Sequence, residues 1–185
     1  MKIRNSISFF AIAALIFSGS VLFTSCSDPV KGCTDPNAET YNADADESDA
    51  TLCVYSRDKF IGDYGGTLIC PGPLNAQINN SVYDFKIQER AGGTVSEVTV
   101  GVSVFGAPVN LAATVSGSTI TIDQTIPNVP FTAAPGVTIT ATIVAKGTAN
   151  LAADNKTLSG VLNVTITASA IGTIADACPI TGVKK

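Results

Sequence analysis

From residue 57 to the C-terminus, apolar and polar side chains alternate almost one for one. Tyr83, Phe85 and Ile87 alternate with Asp84, Lys86 and Gln88, and Val98, Val100, Val102 and Val104 with Thr99, Gly101 and Ser103. Val137, Ile139, Ala141 and Ile143 then alternate with Thr138, Thr140 and Thr142, and Leu162, Val164, Ile166 and Ala168 with Asn163, Thr165 and Thr167. A period of two places every second side chain on one face of a strand, so each run predicts a strand with one buried and one wetted face. Turn-forming residues separate the runs: Pro71-Gly72-Pro73, Gly92-Gly93, Gly106-Ala107-Pro108, Ser116-Gly117-Ser118, Pro127-Asn128, Pro135-Gly136 and Asp154-Asn155. The punctuation predicts about eight strands and leaves little room for helix.

Short returns favour antiparallel neighbours, and a sheet with one apolar face must close on itself or pack on a second sheet. The expected fold class is therefore all-β, a single antiparallel domain. Cys70 ends the first predicted strand and Cys178 falls in the last, so a bond between them would set the chain's two ends side by side. That favours an up-and-down barrel, which removes exposed edges, over a β-sandwich. Gly62-Asp63-Tyr64 on the first strand resembles the Gly-x-aromatic that opens lipocalin-like barrels, although the chain has no Trp. That resemblance implies an interior able to hold one small apolar ligand.

The N-terminus follows a different pattern. Met1-Lys2-Ile3-Arg4-Asn5 is a charged start, and the apolar run to Phe23 is broken by Ser8, Ser18, Gly19 and Ser20. It falls short of the roughly 20 apolar residues of a membrane span and has the build of a removable export signal. The run ends Val21-Leu22-Phe23-Thr24-Ser25-Cys26, followed by Ser27-Asp28-Pro29. Small residues before a cysteine resemble the signals of bacterial envelope lipoproteins, in which the thiol receives diacylglycerol before cleavage on its N-terminal side. Phe23, where such boxes usually hold Leu or Val, fits the looser boxes of the Bacteroidota. The resemblance implies a mature chain that begins at lipidated Cys26 and is held at the cell envelope, at the outer membrane, on either face.

Three segments follow: a leader, 1–25; an acidic neck, 26–56; and a β domain, 57–185. The whole chain has a formal charge of −4, and loss of Lys2 and Arg4 with the leader makes it two units more negative. Asp35, Glu39, Asp44, Asp46, Glu47 and Asp49 crowd the neck, which has no Lys or Arg between residues 32 and 53, whereas the β domain is balanced. Nucleic acid is excluded as a partner on that charge. With Cys26 spent on lipid, four cysteines remain, an even number suited to disulfides in an oxidising envelope. Of three possible pairings, Cys33 with Cys53 brackets the neck and Cys70 with Cys178 brackets the β domain. A zinc site would want close Cys-x-x-Cys pairs, which are missing.

In the neck, Gly32-Cys33-Thr34-Asp35-Pro36-Asn37-Ala38, Tyr41-Asn42, Asp49 and Cys53-Val54-Tyr55 resemble a short module of secreted and surface proteins of the Bacteroidota. Departures are Ala43 in place of the usual Pro, Ala50 where Gly is common, and a longer spacing to Cys53. Too few apolar residues are present to bury a core, so order must come from the cross-link, from turns, or from a cation. Asp44, Asp46 and Asp49 are the candidate ligands for calcium, whose hard oxygen donors recur at such spacing. An EF-hand is excluded, since Asp49 stands where the loop needs Gly and Tyr55 where it needs Glu.

Chemistry is sparse elsewhere. The chain has no His, which removes the commonest general base and metal ligand. Lys86 and Lys146 stand beside no serine motif, Glu89, Glu97 and Asp123 are expected to be solvated strand-end acids, and no phosphate loop appears. No enzyme is expected. The function expected is a non-enzymatic, lipid-anchored module that binds or supports a partner (protein, glycan or small apolar molecule), with a lipocalin-like carrier as the alternative.

Overall fold

The computed structural model describes residues 28–76, 82–104, 107–134, 137–170 and 172–185. The leader and Cys26 lie outside the described residues. The neck forms a two-stranded parallel pair, β1 (Lys31–Gly32) and β2 (Glu47–Ser48), and the single 3-10 turns Ala50–Leu52 and Ser56–Lys59 lead into the β domain. There, eight strands follow: β3 (Gly62–Leu68), β4 (Val82–Glu89), β5 (Glu97–Val104), β6 (Ala107–Ser116), β7 (Thr119–Ala134), β8 (Val137–Leu151), β9 (Thr157–Ala168) and β10 (Gly172–Lys184).

Each strand pairs antiparallel with the next, and β10 closes on β3, with Ile180 opposite Leu68 and Lys184 opposite Tyr64. The domain is thus a closed up-and-down barrel. The predicted pairing of cysteines holds as well: Cys33 is bonded to Cys53 and Cys70 to Cys178. The last bond ties the strand that closes the barrel to the loop leaving the strand that opens it.

Alternation decides which way each side chain points. Val98 and Val100, Leu111 and Ala113, Ile120 and Ile122, and Ile143 and Ala145 are buried in the interior, while Thr121, Thr142, Thr167 and Thr173 face water. Thr142, Thr167 and Thr173 stand opposite one another across β8, β9 and β10, and Thr67 bonds Thr181 at 2.8 Å across the closing seam. Apolar-in and polar-out is the reverse of the alternation of a membrane-spanning barrel.

Where the punctuation predicts a turn at Pro127-Asn128, β7 runs straight on as one 16-residue strand. Between Ile126 and Val129 it advances three residues while β8 advances two, so one residue is extruded as a bulge, and Asn128 takes a left-handed φ of 58°. Asn tolerates that conformation, so the same residue types that make a turn here make a bulge. Asp154-Asn155 does turn, with Asn155 at φ 54°.

One end of the barrel carries the hairpins β4–β5, β6–β7 and β8–β9 together with the neck; this is the base. The other end, the mouth, carries the β3–β4 loop and the remaining returns.

Candidate functional site

The base is sealed by residues from both ends of the domain. Phe60 and Tyr64 are fully buried; the Tyr64 hydroxyl donates to the Phe60 carbonyl at 2.8 Å, and its ring stacks on Phe85 at 5.0 Å between centroids. Burial pushes the Tyr64 phenol up to about 12. Lys184, at the far end of β10, lies 5.9 Å from the centre of that ring and donates to the Lys59 carbonyl at 2.9 Å. An ammonium at the barrel's end thus finds a carbonyl and a π face in place of water. Arg57 donates to the Thr94 carbonyl at 3.1 Å and pairs with Glu89 at 3.2 Å, which rivets the Ser56–Lys59 turn to the β4–β5 hairpin.

The neck is fastened to the same turn. Glu39 accepts from Lys59 at 2.7 Å and from Ser56 at 2.8 Å, and the Lys59 bond above all holds its carboxyl below the usual range. Within the neck, the Tyr55 hydroxyl donates to Asp35 at 2.8 Å, joining the two ends of the motif that the sequence presents. Asp46 accepts the Val30 amide, and Asp49 caps Ala50–Leu52 by accepting the Thr51 hydroxyl and amide. Asp44, Asp46 and Asp49 are not drawn into one group. Among the described residues, the acid and thiol atoms that do converge belong to Cys70, Asp176 and Cys178, whose sulfurs are spent on a disulfide. Asp46 and Asp49 thus spend carboxylate oxygens on donors of the neck itself.

At the mouth, the β3–β4 loop folds inward beside β3 and β10. The Cys70–Cys178 bond fixes its start, Asp176 accepts the Gly72 amide at 2.7 Å, and Leu74, on the turn Pro73–Ala76, is fully buried against Cys70 and Cys178. Between base and mouth the buried side chains are apolar, and among the described residues no polar or charged residue is buried.

The buried side chains of the interior form two clusters joined through partly buried residues. One cluster gathers at the base around Phe60, Tyr64, Ile87 and Leu158, and a second at the mouth around Leu74, Val129, Ile143 and Ile166. Ile126 and Leu162 touch both, yet each keeps part of its surface accessible, as do Tyr83, Phe85, Val102 and Ile180 around the same level. The outer face has a hollow of its own, about 550 Å³ over β3–β6, with Gly101 in its lining and an Asp84–Lys185 ion pair of 2.8 Å at its rim.

The strand-end acids each meet a cation. Glu89 is held by Arg57, Glu97 by Arg90 at 2.8 Å, and Asp123 by Lys146 at 3.0 Å, each with a cation of its own. Sequence reasoning missed Lys184, Asp176, Phe60 and Leu74, since none of them belongs to a motif; the aromatic of Gly62-Asp63-Tyr64 was the signal that led to the base. Compared with known proteins, the sequence matches no family model, and no curated protein is similar to it.

Proposed function

We propose that the chain is a non-enzymatic envelope protein, anchored by lipid on Cys26, that presents its barrel as a binding module. Two disulfides suit an oxidising compartment. An interior without His, and without a buried charged side chain among the described residues, lacks the usual general bases.

The observation that carries the binding role is the closed eight-strand barrel, whose apolar residues Tyr83, Phe85, Val102, Ile126, Leu162 and Ile180 are only partly buried. Partly buried apolar side chains in a closed barrel suit a small apolar ligand, so the carrier form of this reading is the one favoured. Titration with fluorescent apolar probes tests it: saturable binding that is lost when Leu162→Trp fills the lumen is the expected result, and no saturable binding to the natural protein sinks it. Anchoring is tested separately. Cys26→Ser is expected to abolish acylation and move the protein to the aqueous phase on detergent separation.

A further inference from the structure

Large apolar side chains exposed to water are unevenly spread. Among the described residues, Val30, Tyr41, Leu52 and Val54 lie in the short, carboxylate-rich neck, whereas the much longer barrel domain exposes Ile69, Val161 and Val183. Tyr41, Leu52 and Val54 keep 49%, 46% and 42% of their surface accessible, and they belong to one small region. Tyr41 is bridged to Cys33, the Cys33 and Cys53 Cα atoms are 4.9 Å apart, and Cys53 stands between Leu52 and Val54. The Thr40 hydroxyl donates to the Leu52 carbonyl at 2.6 Å and accepts the Val54 amide at 2.9 Å, which holds the two segments together.

The backbone explains why Leu52 and Val54 point outward. Cys53 is extended, at φ −80° and ψ 116°, and turns its sulfur inward to the buried Cys33. Side chains flanking an extended residue leave the chain on the opposite side, so the disulfide that orders the neck also presents this pair to solvent. Apolar residues grouped on an otherwise polar module mark a contact surface.

We infer that Tyr41, Leu52 and Val54 rest in the headgroup–acyl boundary of a membrane of zwitterionic lipid, an inference that builds on the lipid anchor proposed at Cys26. Four residues lead from Cys26 to Val30, so even a fully extended chain sets the start of the neck no more than about 14 Å from the acylated residue. The bilayer is then the apolar phase held nearest to the patch, and Tyr is a side chain suited to its interface. Charge selects the lipid. The neck's one cation, Lys31, is paired with Glu47 at 3.6 Å, which leaves Asp44, Asp46 and Asp49 without a cation of their own in the neck. Anionic headgroups would repel such a surface, whereas zwitterionic ones leave the apolar contact unopposed.

The fastening of neck to barrel turns this contact into an orientation. Glu39 is bonded to Lys59 and Ser56, and Arg57 to Thr94 and Glu89, so the neck is fixed to the base. With the neck on the membrane, the base faces the bilayer. The mouth, with its Cys70–Cys178 bond and the exposed Ile69 beside it, faces the aqueous side.

The chain has no Trp, so a single introduced Trp reports its own surroundings. The full-length protein, its acyl groups verified by mass spectrometry, is reconstituted in phosphatidylcholine vesicles carrying brominated acyl chains, which quench Trp on contact. Leu52→Trp and, as a second reporter, Tyr41→Trp are expected to lose about half their emission relative to unbrominated vesicles, while Ile69→Trp at the mouth stays unquenched. Phosphatidylglycerol added at constant bromine content is expected to reduce neck quenching about twofold. Acylated protein with neither neck reporter quenched, or with Ile69→Trp quenched as strongly, overturns the membrane contact and leaves the anchor standing. Unchanged or stronger quenching with phosphatidylglycerol overturns the lipid class. A blue shift that grows with protein density without bromine quenching assigns the patch to a second copy and overturns the membrane as its partner. An N-terminus without acyl groups overturns the anchor, and the contact falls with it.

Discussion

Tyr64 illustrates how much one side chain can be asked to do in a histidine-free interior. It fills the base, stacks on Phe85, offers its face to Lys184 and satisfies the Phe60 carbonyl. Tyr64→Phe keeps the ring and removes the donor, leaving a buried carbonyl unpaired, at a cost of about 1–3 kcal/mol in a denaturant titration. Asp154 is a surface counterpart. It accepts the amides of Thr157 and Lys156 and the Thr157 hydroxyl in the β8–β9 turn, and these bonds, the Thr157 amide first, lower its carboxyl from 3.8 to about 2. A carboxyl whose pKa is lower folded than unfolded contributes stability above its unfolded value and loses it as pH falls through the folded one. Asp154→Asn is therefore expected to reduce the loss of stability between pH 3.8 and about 2, read as a shallower acid limb of melting temperature against pH.

At the scale of elements, the strands are set by alternation but their closure into a barrel depends on where side chains are missing. Gly147 on β8 and Gly160 on β9 both face inward. A Cβ on Gly147 would collide with the Val161 carbonyl oxygen, and one on Gly160 with that of Thr148, so the two strands cross closely only because both are glycine. Gly147→Val is expected to destabilise by about 1–3 kcal/mol despite raising strand propensity, since the obstacle is backbone and cannot swing aside; thermal unfolding of the variant measures it. Alternation made Val137–Ile143 of β8 and Leu162–Ala168 of β9 legible in advance, but these two glycines lie outside both runs. The β7 bulge is the reverse case: Pro127-Asn128 was legible as a break in regular pairing, and only the partner strand β8, which continues past it, made the break a bulge and not a turn.

For the whole molecule, the two disulfides divide the work. Cys70–Cys178 spans 108 residues and Cys33–Cys53 only 20, so chain entropy assigns about 4–5 kcal/mol to the first and about 3 to the second. Replacing Cys70 and Cys178 by Ala is expected to lower the barrel's unfolding midpoint by the larger amount and to free the Gly72–Leu74 cover. Replacing Cys33 and Cys53 is expected to loosen the neck while the barrel's transition stays cooperative. Calorimetry on each pair separates the two.

By itself the sequence determined the strand content and the antiparallel order and narrowed the cysteines to three pairings, because a period of two, short returns and a cysteine count are local or countable properties. Tertiary structure alone decided that Lys184 would meet Tyr64 from the other end of the domain, that Arg57 would reach the Thr94 carbonyl, and that Asp176 would accept the Gly72 amide. Each of these depends on distances between residues far apart in the chain, and those distances exist only after the barrel has closed.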